Sequence, residues 1–179
     1  MKRLTVLGLA LLLTAACAPA GGSSAPEPVN SEDVMFLQMM IPHHRQGIEI
    51  VKQARDKGKD QQLKTFAAAI ETTQTDEVKT MMGWLRSWGQ PMTAPSDAHA
   101  AHGGLPETDR EQIARLTRSK NFERDFLQLL IAHQDDAVQL AGLEALNGDN
   151  PTVKGWAEKV KQSRKAQIEQ MKGMLPPAP

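Results

Sequence analysis

The chain has 179 residues, and its 21 basic and 21 acidic side chains cancel. Removing Lys2 and Arg3 with the N-terminal segment leaves 19 basic against 21 acidic residues, a charge near −2 that favours neither nucleic acid nor an anionic membrane face. The one cysteine excludes an intrachain disulfide, and a composition without tyrosine but rich in Ala, Gln, Lys, Glu, Leu and Met is that of helices.

Residues 1–16 combine a basic start, an aliphatic run from Leu4 to Leu13, and the small residues Thr14, Ala15 and Ala16. The run is too short to span a bilayer, and its order predicts a secretion signal. Cys17 follows directly, as at a bacterial lipoprotein processing site, where the thiol takes a diacylglycerol. An ordinary signal peptide cut near Ala18 or Ala20 is the alternative, since Thr14 stands where leucine is commoner. Residues 17–30, rich in Pro, Gly, Ser and Ala, read as a flexible tether. The expected location is outside the cytoplasmic membrane, at the cell envelope, with a lipid anchor as the only membrane attachment.

The remaining residues, about 150, suffice for one domain with a real core. Shifting the chain by 90 residues lays Phe36-Leu37-Gln38 on Phe126-Leu127-Gln128, Ile41 on Ile131, His43 on His133 and Gly58 on Gly148. Lys64, Ala67, Met81, Gly83 and Leu85 fall on identical residues under the same shift. The domain, 31–175, therefore reads as a duplication with pseudo-twofold symmetry: repeat 1 over 31–89, a crossover over 90–119, and repeat 2 over 120–175.

Each repeat predicts two helices. In the first, Asn30 and Ser31 cap a helix over 32–57 whose stripe is Phe36, Met40, His43, Gly47, Ile50 and Ala54. Gly58 closes it. Asp60 caps a second helix over 61–88, with Leu63, Ala67, Ile70, Gln74, Glu77, Met81 and Leu85 on one side and Gly89-Gln90-Pro91 as its stop. A short helix opened by a capping box at Thr108 runs to Arg118. Repeat 2 predicts helices over 121–146, with Phe126, Leu130, His133, Ala137 and Leu140 in its stripe, and from the Asn150-Pro151 cap to Leu175, with Val153, Val160, Ile168 and Met171. Short connections within repeats and a long link between them predict an all-α four-helix bundle made of two duplicated helical hairpins with a long crossover link.

Several polar residues fall on these apolar stripes. His43 and its mate His133 sit at symmetry-related places, either as core residues or as groups that converge. His44 points about 100° from His43 along a regular helix, so the two do not readily share one ion. Met39 with His43, Met40 with His44 and Met40 with His43 have the i, i+4 or i, i+3 spacing that puts two donors on one face. Pro42 frees the Gln38 carbonyl and is expected to re-aim the histidines. Gln74 and Glu77 in the first repeat become Arg164 and Gln167 in the second, and Asp136 leans to the side of His133. A buried carboxylate needs a partner or an ion, so Glu77 either pairs with Arg164 or joins a metal site. Thioether and imidazole donors together suit copper, Cu(I) above all. Residue 40 is methionine and residue 130 leucine where a di-iron bundle needs Glu-x-x-His, which disfavours that chemistry. His99 and His102 in the crossover either capture a metal ion or are solvated.

The run Phe36-Leu37-Gln38-Met39-Met40-Ile41-Pro42-His43-His44-Arg45-Gln46-Gly47-Ile48 resembles the signature of the domain-of-unknown-function family 305, and the likeness continues through Gln74, Glu77, Met81 and Trp84-Leu85 to cover residues 33–175. The resemblance implies a ferritin-like four-helix fold, export, and copper handling by Met39, Met40, His43, His44 and Met81. Repeat 2 departs from the pattern at Ala132, Gln134 and Gln167, leaving there either a weaker site or residues that complete the first.

Two functional classes remain. One is an extracytoplasmic copper-binding protein that sequesters or delivers the ion through Met39, Met40, His43, His44, Glu77, Met81 and His133, with no covalently bound cofactor. Its partners would be the metal ion, a copper-accepting protein or a second copy of the chain. The other is a non-metal helical sensor or partner-binding module at the envelope. No Ser/His/Asp set, phosphate loop or cysteine nucleophile points to an enzyme, and copper-dependent redox activity is a distant third.

Overall fold

The computed structural model describes residues 26–94 and 110–176. The secretion signal, Cys17, most of the tether, His99, His102 and the capping box at Thr108 lie outside the described residues. Within them are five helices: α1 (Ser31–Lys57), α2 (Gln61–Ser87), α3 (Arg110–Leu116), α4 (Phe122–Asn147) and α5 (Pro151–Met174). The boundaries follow the local chemistry. Asn30 and Asp33 form a reciprocal capping box at α1, Asp60 accepts from Gln62 and Leu63 at α2, and Asn150 accepts from Val153 ahead of Pro151 at α5. Trp88, expected inside α2, is its C-cap, and Gly89 follows with φ 64°, a left-handed turn open to glycine without strain. The short helix ends at Leu116 rather than Arg118, and α1 runs without a break through Pro42.

The four long helices form a bundle. Three-residue turns join α1 to α2 and α4 to α5 as antiparallel hairpins, and the hairpins meet chiefly along α1 and α4. The start of α1 lies beside the α4–α5 turn, and the start of α4 beside the α1–α2 turn. The end of α2 and the beginning of α4 are therefore at opposite ends of the bundle. A helix of α4's length spans roughly 40 Å, which is why the connection between the hairpins is long. Along it, α3 packs Ile113 and Leu116 into the core, and its Ile113 carbonyl accepts from Gln53 Nε2 at 3.2 Å.

Two apolar clusters fill the interior. One holds Ile50, Val51, Ala54, Leu63, Ala67, Ile70, Phe126, Leu130, Ile168 and Met171; the other holds Phe36, Met40, Met81, Leu85, Ala137, Leu140, Val153 and Val160. Each long helix contributes to both, so each stripe is apolar at its ends and polar in its middle.

The pseudo-symmetry extends to the turns. The Asp33 carboxylate accepts from the backbone N–H groups of Asp149 at 3.3 Å and Asn150 at 3.0 Å. Glu123, its counterpart 90 residues on, accepts from the N–H of Lys59 at 2.8 Å. Each hairpin thus caps the turn of the other. The counterpart of Ala54 is Glu144, which is 2% exposed with neither carboxyl oxygen hydrogen-bonded to a donor. It faces Asp33 across Gly148, where a Cβ would overlap Glu144 Oε1 and lie 2.8 Å from Asp33 Oδ1.

Burial first, then the neighbouring Asp33, raises the Glu144 carboxyl from 4.5 to about 8. The folded state holds this proton when the unfolded chain does not, so the contribution to stability is full below about pH 4.5 and is lost as pH rises to 8. Replacing Glu144 by Ala, the residue repeat 1 has at this place, should remove that decline. Urea unfolding of both proteins at pH 6 and 8.5 checks it: wild type should lose stability relative to Glu144→Ala as pH rises, and any pH-independent packing cost cancels in the comparison.

Candidate metal centre

Between the two apolar clusters lies a layer built from the polar middle of every long helix: His43, His44, Gln74, Glu77, His133, Gln134, Arg164 and Gln167. His43, His44, Gln74, His133, Gln134 and Arg164 are all buried, and Arg164 is 0% exposed. At the layer's centre the imidazoles of His43 and His133 stack with ring centroids 3.9 Å apart and planes 13° from parallel. This close approach depends on Gly47, where a Cβ would overlap Gln74 Oε1 and lie 2.8 Å from His133 Nε2.

Around the stacked pair the polar contacts repeat under the 90-residue shift. His44 Nε2–H donates to Glu77 Oε2 at 2.8 Å, and at the equivalent place Gln134 Nε2 donates to Gln167 Oε1 at 2.5 Å. Gln74 Nε2 donates to Gln134 Oε1 at 3.4 Å across the hairpins, and its counterpart Arg164 brings Nη2 to 3.3 Å from His44 Nε2. The symmetry breaks in side-chain chemistry, with His44 in place of an amide and charge confined to one set of contacts. One half carries Arg164 and Glu77, which form an ion pair between α5 and α2; the other half is made of neutral amides.

Burial first, then neighbouring His133, holds the His43 imidazole well below its ordinary value. Burial, with His44 and Arg164 nearby, lowers His133 to about 3. Burial also lowers His44 against the opposing hydrogen bond to Glu77. For Glu77, burial pulls upward, but the His44 hydrogen bond and the Arg164 charge outweigh it and keep the carboxyl below its ordinary value. The layer therefore contains three neutral imidazoles and one compensated ion pair.

The model of the domain of unknown function DUF305 matches residues 33–175. The chain belongs to the DUF305 family. No curated protein matches it. Among solved structures it is similar to a secreted DUF305 protein from Streptomyces coelicolor, at 25% identity and TM-score 0.73, covering 79% of this chain and 90% of that one. A DUF305 fragment from Deinococcus radiodurans matches at 25% identity and TM-score 0.72, covering 82% and 97%. CopM in its Cu(I)-bound form matches at 29% identity and TM-score 0.67, covering 79% and 94%. CopM has also been solved with Cu(II), with silver and in the apo form.

In this DUF305 chain the structure gathers the residues singled out from the sequence, but with unequal freedom. His43 and His133 converge, and both His43 ring nitrogens are buried without a hydrogen-bond partner. Met39, Met40 and Met81 are buried together in the apolar cluster beside the layer, with Met35, Met82 and Met92 at its margin, so six of the nine methionines share one lobe. His44 and Glu77 are engaged with each other and with Arg164. Asp136 is half-buried, and burial and then Asp135 raise its carboxyl. Among the described residues no group of three or more His, Cys, Asp and Glu side chains is arranged to hold a metal ion. An ion bound here would need the thioethers. That donor set fits a soft ion: a buried nitrogen left unmatched costs about 1–3 kcal/mol, which coordination of His43 would offset.

The sequence reading missed Glu144 and the capping role of Asp33 across the hairpins. The shift that pairs Glu144 with Ala54 was the available signal, since it sets a carboxylate where the other repeat buries a methyl group. Gly47 makes the next prediction. Gly47→Ala should cost about 1–3 kcal/mol by overpacking, measured by chemical denaturation, and should separate the stacked imidazoles, seen as shifted His43 and His133 ring resonances by NMR.

Proposed function

We propose that this chain is an extracytoplasmic copper-binding protein that sequesters Cu(I) or passes it on, held at the envelope through a lipid on Cys17. The observation that carries the reading is the buried, neutral His43–His133 pair set against the methionine-rich lobe. Imidazole and thioether donors in a dry interior favour a soft univalent ion over hard cations, and neutral imidazoles need not release a proton to coordinate. Similarity to CopM, solved with Cu(I), with Cu(II) and with silver, supports copper as the ion. The ligands would be His43 and His133 with Met39, Met40 and Met81, while His44 and Glu77 act from the side of the layer that Arg164 engages. No helix among the described residues is long and apolar enough to cross a membrane, and a lipid anchor would supply the attachment.

The self-contained contacts of His44, Glu77 and Arg164 favour a second reading, a helical sensor or partner-binding module in which the layer is structural. A Cu(I) competition titration of the mature domain, residues 18–179, separates the two. Stoichiometric binding that His43→Ala and His133→Ala each weaken at least about tenfold, with helicity by circular dichroism nearly intact, is the expected outcome. Binding no tighter than a buffer-level control would transfer the chain to the second reading.

A further inference from the structure

We propose that Arg164, by neutralising Glu77 inside the buried layer, makes the site selective for univalent over divalent cations. The inference rests on the copper-binding reading above and adds to it the residue that sets the charge class of the ion.

Within the layer Arg164 contributes the positive charge and Glu77 the negative one, joined as an ion pair, with Arg164 Nη2 also 3.3 Å from His44 Nε2. An imidazole that offers a ring lone pair to an ion is neutral, and Gln74, Gln134 and Gln167 carry no charge. The layer is therefore neutral before an ion arrives. A univalent cation on neutral imidazole and thioether donors leaves a single buried charge, and a divalent one leaves two. The desolvation cost of a buried ion grows with the square of its charge, so a neutral layer penalises the divalent ion roughly fourfold more. Were Glu77 left unopposed, its carboxylate would attract either ion, the divalent one twice as strongly.

The duplication supplies the control variants. The residue at Arg164's place in repeat 1 is Gln74, buried in the matching position, and the residue at Glu77's place in repeat 2 is Gln167. Glutamine at either position is thus a side chain that the same backbone environment already accommodates in the other half. Arg164→Gln gives a layer of charge −1, Glu77→Gln one of +1, and the double variant Glu77→Gln/Arg164→Gln restores neutrality with a symmetric set of amides.

The test uses Ag(I) and Zn(II) as redox-inert probes, with competition titrations giving an affinity ratio for each protein. The expected result is that Arg164→Gln raises Zn(II) affinity relative to Ag(I) by about tenfold or more. Glu77→Gln should shift the ratio the opposite way, and the double variant should return it to the wild-type value. Denaturant unfolding of the metal-free proteins provides a separate readout: each single variant leaves one charge unmatched and loses more stability than the double variant, a pattern that requires the pair to be coupled. Should Arg164→Gln fail to fold, the opposite shift in Glu77→Gln still decides the matter. Wild type binding Ag(I) with a ratio that neither single variant changes overturns the inference while leaving the copper reading intact. Wild type binding neither ion overturns both.

Discussion

The constraint on which the structure depends is the burial of a polar layer across the middle of a small bundle. Eight side chains that can hydrogen-bond or carry charge replace what would otherwise be one continuous apolar core. Such a layer is tolerated when its charges and most of its amides find partners in one another, because a charge or an amide stranded in the interior loses its hydration without return. Here His44 and Glu77 are matched within one hairpin, Gln134 and Gln167 within the other, and Gln74 and Arg164 reach across, while both ring nitrogens of His43 stay without a partner. The two apolar clusters flank the layer on either side and fix the register in which these contacts can form. A helix slipped by one turn would carry its polar residues into one cluster or the other.

That same register governs the chemistry. The stacked imidazoles sit beside Gly47 in one helix, and the small Ala137 takes the equivalent place in the other. Six of the eight methionines among the described residues lie to one side, among all three tryptophans, Trp84, Trp88 and Trp156. The interior is thus graded along the bundle axis, from an aliphatic and phenylalanine-rich half, through imidazole and amide, to a sulfur-rich half. A soft ion held in the layer would have nitrogen on one side and polarisable sulfur on the other, within a shell that excludes water as a competing ligand.

Much of this was legible in the sequence because it is written in local or periodic signals. The caps at Asn30, Asp60 and Asn150 set the helix starts within a residue, and the 90-residue shift exposed the duplication and placed His43 opposite His133. What was not legible depends on how the two hairpins meet. Whether Arg164 would reach Glu77 or turn to solvent is a matter of α5 lying against α2, and no spacing along the chain encodes that contact. Glu144 was missed for a different reason. It continues the α4 stripe three residues beyond Ala141, but a carboxylate there reads as a solvated residue until Asp33 and Gly148 are seen to enclose it.

The exchanged caps at the two turns carry a consequence for the domain's origin. Asp33 serves the turn of the second hairpin and Glu123 the turn of the first, so residue i of one half meets residue j of the other, and the reverse holds as well. Contacts of that reciprocal kind are the ones by which two identical subunits close around a twofold axis. A single hairpin of this sequence type would find the matching cap on a copy of itself, and the two halves of this chain meet as such a pair would. Fusion frees the halves from identity: the first carries His44 and Glu77 where the second has Gln134 and Gln167, and the second carries Arg164 where the first has Gln74. A symmetric dimer would have had to make each such change twice at its axis.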